Sequence, residues 1–295
     1  KHVVTAALPY VNNTPHLGNL VQVISADVYA RHLRSQEENS IFICGTDEHG
    51  TTTEIIAHEK DVTPRELVDY FYERHKTIYD WFNCSFDCFG RTSSKANHDR
   101  TQSLFKALEE NDYIIEKTTE QLYDEEAEQF LPDRYVEGTC PECGYEGADG
   151  DQCEQCCELL EPTDLINPQS TISDATPIVK ETTHLYLDLE ELQEPVQSHF
   201  QDVAKDWSTN AVETTKAWFD EGLKPRPITR DLDWGVQVPK EGFEDKVFYM
   251  WFDAPIGYIS ITEDSRKDWQ DWWHDNDNIH LTQFMGKDNI PFHSV

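Results

Sequence analysis

Several features that mark other protein classes are missing from this chain of 295 residues. It has no run of 18 apolar residues, so no membrane span is expected. No secretory signal is expected either, because a strand-like segment begins at His2. Internal repeats and low-complexity linkers are also absent. With 38% hydrophobic and 12% aromatic residues, the chain can bury a core in one large or two modest domains. These features predict a cytoplasmic protein.

Basic residues are scarce, since 24 Lys and Arg stand against 57 Asp and Glu, giving a formal net charge of -33. Nucleic-acid binders are usually basic, because neutralising phosphates supplies much of their affinity. Either the protein avoids nucleic acid, or it is adapted to concentrated salt. The acidic residues are interleaved with structured sequence and form no tail. This distribution favours the second interpretation, a halophilic source.

The segment LPYVNNTPHLGNL, residues 8–20, joins a short β-branched run to a stretch with apolar residues at helical spacing. Pro15 suits the first turn of that helix. His16 and Asn19 are therefore predicted at a helix N-terminus, which is a natural anion site. Gly18 lets a ligand approach the backbone closely. Taken alone, the pattern fits a capped turn with a solvated histidine equally well.

A second apolar run, residues 41–44, leads into GTDEHG. Strand, helix and strand at this spacing begin a right-handed βαβ unit, which predicts a Rossmann-like α/β fold with a parallel sheet. Ligands of such sheets bind beyond the carboxyl ends of the strands. Asp47 falls at that place, where its carboxylate is suited to an ammonium group.

The composition changes near residue 109. Residues 109–161 hold eighteen acidic residues but only two basic ones, Lys117 and Arg134. Prolines, glycines and five cysteines also enter here. The predicted organisation is therefore a first half of the Rossmann-like domain at residues 1–115, an insertion at 116–225, and a second half of that domain at 226–295.

Two C-x-x-C pairs, Cys140/Cys143 and Cys153/Cys156, are separated by nine residues that include three glycines. Four thiolates on tight turns are what a closed structural Zn²⁺ site needs. Disulfides are the alternative, but nothing marks a secreted chain. Cys157 adjoins the fourth ligand and is interpreted as a spectator, although exchange with Cys156 stays open.

HLGN at residues 16–19 resembles the HIGH signature of class I aminoacyl-tRNA synthetases, and the preceding ALPY has the form found in methionyl-tRNA synthetases. FLPDRYVEGTC at 130–140, MWFDAPIGY at 250–258 and GKD at 286–288 also match, so the resemblance covers nearly the whole chain. It implies a nucleotide-binding domain with an inserted zinc knuckle. It also implies that methionine is activated with ATP, accompanied by Mg²⁺, and transferred to the 3′-terminal adenosine of tRNA(Met) in protein biosynthesis.

The resemblance implies a methionine pocket. Sulfur packs favourably against aromatic edges, and a donor towards it is expected from Tyr258 or His293. Residues 247–251 are expected to be a strand that places Trp251 at its carboxyl end, in the pocket. The alternative is that this aromatic run is an ordinary core strand with no pocket residue. The implied pocket residues are Ala7, Leu8, Tyr10, Asp47, Trp251, Ala254, Pro255, Tyr258, Phe292 and His293.

The resemblance also implies an ATP site. His16 and Asn19 are the implied catalytic residues, donating hydrogen bonds to the charge that builds on phosphoryl oxygens. The family commonly has His where this chain has Asn19, whose amide still donates but cannot be cationic. A surface salt bridge is the alternative role for Arg230. The implied ATP-binding residues are His16, Gly18, Asn19, Arg230, Gly286 and Asp288.

The second signature of the family, KMSKS, does not occur in these residues. Together with a start that lacks Met, this predicts the N-terminal catalytic portion of a longer enzyme, which binds methionine but forms little adenylate by itself. The leucine, isoleucine and valine enzymes carry larger editing insertions, and the cysteine enzyme uses zinc as a substrate ligand. A non-catalytic relative that binds methionine or another protein remains the alternative from a different class.

Raising KCl from low to molar concentration should raise the melting temperature of this protein. At 1 M salt the screening length is about 3 Å, so repulsion among the excess carboxylates is relieved. Thermal unfolding in a KCl series, followed by circular dichroism, measures the effect. A melting temperature that is flat or falls with salt would remove the halophile interpretation.

Overall fold

The computed structural model describes residues 1–150, 153, 155–156, 160–274 and 278–295. Its strands and α-helices are, in order, β1 (His2–Ala6), α1 (Leu17–Ser35), β2 (Ser40–Thr46), α2 (Thr51–Glu59), α3 (Pro64–Trp81), β3 (Cys88–Arg91), α4 (Lys95–Glu110), β4 (Ile114–Asp124), β5 (Gln129–Phe130), β6 (Val136–Thr139), β7 (Ala148–Asp149), β8 (Ile166–Ser170), β9 (Ile178–Leu187), α5 (Gln193–Val203), α6 (Thr209–Glu221), β10 (Arg226–Pro227), β11 (Thr229–Arg230), β12 (Val247–Phe248), α7 (Met250–Asp253), α8 (Gly257–Ser265), α9 (Gln270–Trp273), β13 (His280–Phe284) and α10 (Ile290–Ser294). Short 3-10 helices cover Asp133–Tyr135, Pro162–Asp164, Ala204–Asp206 and Lys287–Asn289. In the described part of the chain, no helix is both long and apolar enough to cross a bilayer.

Four parallel strands form the predicted sheet, in the order β13-β1-β2-β3. Val3 of the central strand β1 pairs with Ile41 on one side and Leu281 on the other. At the far side, Ile43 pairs with Cys88. The prediction of an α/β fold with a parallel sheet is confirmed. All four carboxyl ends therefore meet at one edge, where ligands of such sheets bind.

Helices cover both faces of this sheet, because successive side chains of a strand point to opposite sides. Val4 and Phe42 face one core, together with Val23 of α1. Val3 and Ile41 face a second core, which includes residues of α8 and α9. Burial on both faces explains why the strands read as continuous apolar runs in the sequence.

Two glycines let β2, β3 and α8 approach one another closely. A Cβ atom on Gly45 would lie 2.5 Å from the carbonyl oxygen of Gly90 and 2.6 Å from the Cδ1 of Ile261. Both distances are shorter than real Cβ contacts, and one partner is rigid backbone. Glycine is required at position 45 because of this approach.

Within the described residues, the region from β4 to β10 contains two antiparallel sheets and two α-helices. Strand β4 pairs with β9 from Ile114–Leu187 to Tyr123–Ile178, and the sheet has the order β10-β9-β4-β5. A smaller sheet, β7-β6-β8, carries the first C-x-x-C pair at its end. Helices α5 and α6 pack together through Phe200 and Phe219. The division at 115/116 and 225/226 stays a prediction.

Two local predictions are wrong. Pro15 lies outside the first turn, because His16 is the N-cap residue and α1 begins at Leu17. Residues 247–251 are not one strand, since β12 ends at Phe248 and Trp251 lies in helix α7. A short apolar run fits a strand or a buried helical turn equally well, so periodicity could not separate the two.

Replacing Gly45 by alanine should lower the free energy of unfolding by about 1–3 kcal/mol, which is typical of overpacking in a well-packed core. Chemical denaturation measures this loss. Gly286→Ala is the matched control, because a Cβ at that position meets no atom within 4 Å. Equal stability of the two variants would contradict the close packing of β2 and β3.

Candidate functional site

A cavity of about 110 Å³ opens at the carboxyl edge of the parallel sheet. The segment after β1, helix α1, the residue after β2, and the segments that contain helices α7, α8 and α10 build its wall. All ten residues predicted for the methionine pocket line it, together with Asn19. Its lining consists of Ala7, Leu8, Pro9, Tyr10, Asn19, Gln22, Asp47, Trp251, Ala254, Pro255, Tyr258, Asn289, Phe292 and His293.

Backbone pairing holds Asp47 in this cavity. Its N–H donates to the carbonyl of Pro9 at 2.9 Å, and its carbonyl accepts from the N–H of Val11 at 3.1 Å. These bonds extend the β1–β2 pairing by one parallel bridge between Tyr10 and Asp47. The side chain is only 4% exposed, and its Oδ1 has no hydrogen-bond partner among the described residues.

The surroundings of Asp47 disfavour its charged form. Burial raises its pKa well above the ordinary value, and the nearby carboxylates of Asp253 and Glu48 raise it further. Asp253 is buried as well, which raises its pKa, although its Oδ2 contacts His49 Nδ1 at 2.9 Å and Asn97 Nδ2 at 3.1 Å. A cation entering the cavity would relieve this accumulation of negative charge at Asp47.

Tyr258 and His293 are hydrogen-bonded to each other. His293 Nδ1 lies 2.8 Å from the carbonyl oxygen of Asn289, which only accepts, so this nitrogen carries hydrogen. Burial lowers the pKa of His293 and keeps its ring neutral. Its Nε2 therefore accepts from the Tyr258 hydroxyl at 2.9 Å. The expectation of a spare donor towards sulfur is corrected, because both hydrogens are already engaged.

Aromatic side chains form the mouth of the cavity. The indole Nε1 of Trp251 donates to the Tyr10 hydroxyl at 3.1 Å, and its ring meets Phe292 edge to face. Tyr10 is 46% exposed, so this wall lies between the cavity and solvent. Apolar rings here offer a sulfur atom favourable edge contacts.

His16 and Asn19 cap helix α1 and keep donors free. The Nδ1 of His16 accepts from Gly18 N–H at 3.0 Å, and Asn19 Oδ1 accepts from His16 N–H at 3.2 Å. In the neutral ring the hydrogen is then on Nε2, and the Asn19 amide keeps its NH₂ group. Both donors lie at an exposed helix N-terminus, which favours anions.

Gln22 connects the cavity with Gly286, one of the predicted ATP-binding residues. It was not among the site residues predicted from the sequence. Gln22 Nε2 donates to the carbonyl of Ala7 at 2.7 Å, and its Oε1 accepts from Gly286 N–H at 3.1 Å. The available signal was its position three residues after Asn19, on the same helix face. Pro9 and Asn289 were also missed.

The remaining predicted ATP residues lie outside the cavity lining. Gly286 and Asp288 are exposed just beyond β13. Arg230 lies over the ring of Tyr249, with 4.1 Å to the centroid, and donates to the carbonyl of Thr229 at 3.1 Å. The structure therefore brings the methionine-pocket set together and leaves Arg230 apart from it.

The four predicted metal ligands converge, with all four Sγ atoms within 4.8 Å of one another. The Sγ atoms of Cys140 and Cys156 are 3.8 Å apart, and those of Cys143 and Cys153 are 3.6 Å apart. Tetrahedral Zn²⁺ with bonds of about 2.3 Å separates its sulfurs by about 3.8 Å. None of these four cysteines forms a disulfide, so the set fits a metal ion. Cys157 lies outside the described residues.

Comparisons with known proteins agree on one family. The family model of class I tRNA synthetases (M) matches residues 2–295. Methionine–tRNA ligase of Borreliella burgdorferi (strain ZS7) is 54% identical over 296 residues, covering 100% of this chain and 40% of the relative. The probable cytoplasmic methionine–tRNA ligase of Dictyostelium discoideum is 52% identical, covering 99% and 40%. The chain thus spans about 40% of the length of these curated relatives.

A solved structure has the same fold. The crystal structure of Mycobacterium tuberculosis methionyl-tRNA synthetase bound by methionyl-adenylate matches with a TM-score of 0.73 at 23% sequence identity. The match covers 100% of this chain and 53% of that chain.

Metal analysis of the purified protein should find one zinc ion per chain. Cys140→Ser and Cys153→Ser, which alter the two buried ligands, should lose the metal and several kcal/mol of stability in the small sheet, because metal binding contributes directly to folding. Cys84→Ser is the control, since that thiol lies outside the cluster. Wild-type protein that is folded but contains no zinc would contradict the assignment.

Proposed function

The chain belongs to the methionyl-tRNA synthetase family of class I tRNA synthetases, and we propose that it carries the methionine and ATP sites of a methionine–tRNA ligase. The proposed enzyme forms methionyl-adenylate and pyrophosphate, and then transfers methionyl to the 3′-terminal adenosine of tRNA(Met). The observation that carries this proposal is the buried carboxylate of Asp47, whose Oδ1 has no hydrogen-bond partner within the described residues, in a cavity with apolar and aromatic walls.

Asp47 binds the α-ammonium group of methionine in this proposal. A buried carboxylate oxygen without a hydrogen-bond partner is costly, and a cationic hydrogen-bond donor removes that cost. The position at the carboxyl edge of β2 leaves the substrate carboxylate directed towards the helix N-terminus at His16.

The apolar wall selects the thioether side chain. Ala7, Leu8, Ala254 and Pro255 line the cavity together with the Tyr258 ring. Tyr258 and His293 are hydrogen-bonded to each other. The methionine sulfur would therefore contact their rings without receiving a hydrogen bond from either side chain. Norleucine should then bind more weakly than methionine, and branched leucine more weakly still.

The donors of His16 and Asn19 serve the activation step. The methionine carboxylate attacks the α-phosphorus of ATP, a new C–O–P linkage forms, and pyrophosphate leaves with the electrons of the broken P–O bond. Negative charge on the phosphoryl oxygens grows during this step, so preorganised N–H donors stabilise it. Gly18, Gly286, Asp288 and Arg230 are proposed to bind ATP, which enters with Mg²⁺.

Zinc is proposed as a structural ion held by Cys140, Cys143, Cys153 and Cys156. The four thiolates close its coordination, so the ion supplies no open position for chemistry. A cytoplasmic location is proposed with support from the relative of Dictyostelium discoideum whose name includes that word. Adaptation to concentrated salt stays a prediction from the charge of -33.

Replacing Asp47 by asparagine should weaken methionine binding by roughly 30-fold or more, since losing one partner of a buried charge pair costs about 2–5 kcal/mol. Calorimetric titration of the chain with methionine measures this. Asp80→Asn, at an exposed position on α3, is the control. Absence of methionine binding by the wild-type chain, or full affinity in Asp47→Asn, would overturn the pocket assignment.

Methionine affinity should also fall as the pH is lowered. The pKa of Asp47 is raised in the empty cavity, and an ammonium group would lower it, so the deprotonated form is the binding form. Affinity is therefore greatest above the raised pKa and falls as the pH drops through it. Proton release on binding, obtained from titrations in buffers of different ionisation enthalpy, should disappear in Asp47→Asn.

A further inference from the structure

Glu54 lies on α2, outside the cavity, where three donors from two other parts of the chain converge on its carboxylate. The Tyr135 hydroxyl donates to Oε2 at 2.9 Å. The backbone N–H groups of Asp233 and Trp234 donate to Oε1 at 3.0 and 2.5 Å. Glu54 suits this position because its carboxylate accepts hydrogen bonds and the three neighbouring groups donate them.

Trp234 continues this chain of contacts to the cavity. Its indole Nε1 donates to the backbone carbonyl of Glu48 at 2.6 Å, one residue after Asp47. Its ring meets His49 edge to face at 5.6 Å and carries the Arg65 guanidinium on its face at 5.0 Å. The indole therefore holds the backbone that follows Asp47.

Tyr135 belongs to the core of the zinc knuckle. It is buried in one apolar cluster with the ligands Cys140 and Cys153. Leu232, which precedes Asp233, lies in the same cluster, and Ile55, the neighbour of Glu54, packs against it. The apolar cluster of the knuckle thus contacts the neighbours of Glu54 as well as Tyr135, which donates to Glu54.

We propose that Glu54 is a positioning residue that ties Tyr135 of the zinc knuckle to Trp234 and so fixes the backbone around Asp47 for methionine binding. This role rests on the proposed function, because methionine is the ligand whose ammonium group Asp47 receives. Glu54 touches no substrate and acts through Trp234 and Glu48. The described contacts are continuous from the knuckle to the cavity.

Substitutions at two links test the role. Tyr135→Phe removes only the hydroxyl, and Glu54→Leu removes the acceptor. Each should weaken methionine binding roughly 2- to 30-fold, the range for coupling through packed networks. Glu54→Gln should lie close to wild type, because its amide oxygen accepts both backbone N–H groups while its NH₂ donates to the Tyr135 oxygen. Calorimetry is run on the whole chain at a temperature where circular dichroism finds each variant folded.

Matched controls separate positioning from stability. Tyr145→Phe alters a knuckle tyrosine whose hydroxyl makes no hydrogen bond within the described residues, and Glu59→Gln alters an exposed acid on the same helix. Both should bind methionine like wild type. Zinc content should stay at one ion per chain in Tyr135→Phe.

A second readout does not depend on methionine. The indole N–H resonance of Trp234, assigned by its loss in Trp234→Phe, should move in Tyr135→Phe and in Glu54→Leu but not in the controls. An unmoved resonance with unchanged methionine affinity in both variants overturns the positioning role. Failure of wild type to bind methionine would overturn the proposed function instead, and the resonance would still decide whether Glu54 positions Trp234.

Discussion

Backbone pairing between residues 9–11 and Asp47 is the interaction on which the site depends. It adds one bridge to the β1–β2 pairing and holds an almost fully buried carboxylate at the wall of the cavity. Moving Asp47 out to solvent would break both hydrogen bonds with this segment. The pairing and packing of the sheet, which is buried on both faces, therefore offset the free energy of burying the Asp47 carboxylate in the absence of a ligand.

The three buried acids near the cavity, Glu48, Asp253 and Asp47, differ in the side chains that contact their carboxylates. Glu48 is fully buried, but the Arg91 guanidinium contacts both its carboxylate oxygens at 3.0 and 2.9 Å. Asp253 has His49 on one oxygen. Asp47 has negative neighbours and no side-chain donor within the described residues. Asp47 is therefore the acid of this group that has no side-chain donor, and a cationic ligand could supply one.

The parallel sheet and the first helix could be predicted because their apolar patterns are long and regular. Most cavity residues were predicted by resemblance, on motifs at residues 7–10 and 250–258, whereas Asp47 was predicted from its place at the end of the second strand; the structure brings them to one place. Trp251 was assigned to a strand because four or five aromatic and apolar residues carry no clear period. The link from Glu54 to Trp234 spans 180 residues, and no local pattern reports such a contact. The pairing of Tyr258 with His293 likewise depends on rotamers that sequence does not reveal.

The antiparallel sheet places both attachments of the intervening region side by side. Ile114 and Arg226 both pair with Leu187, one on each side of β9. Two inter-strand spacings separate them, which is about 10 Å. A segment whose ends nearly meet can lengthen, shorten or be exchanged with little loop-closure penalty and without moving the strands that carry Asp47. The size of this module can therefore vary in evolution while the cavity at the carboxyl edge of the parallel sheet keeps its geometry.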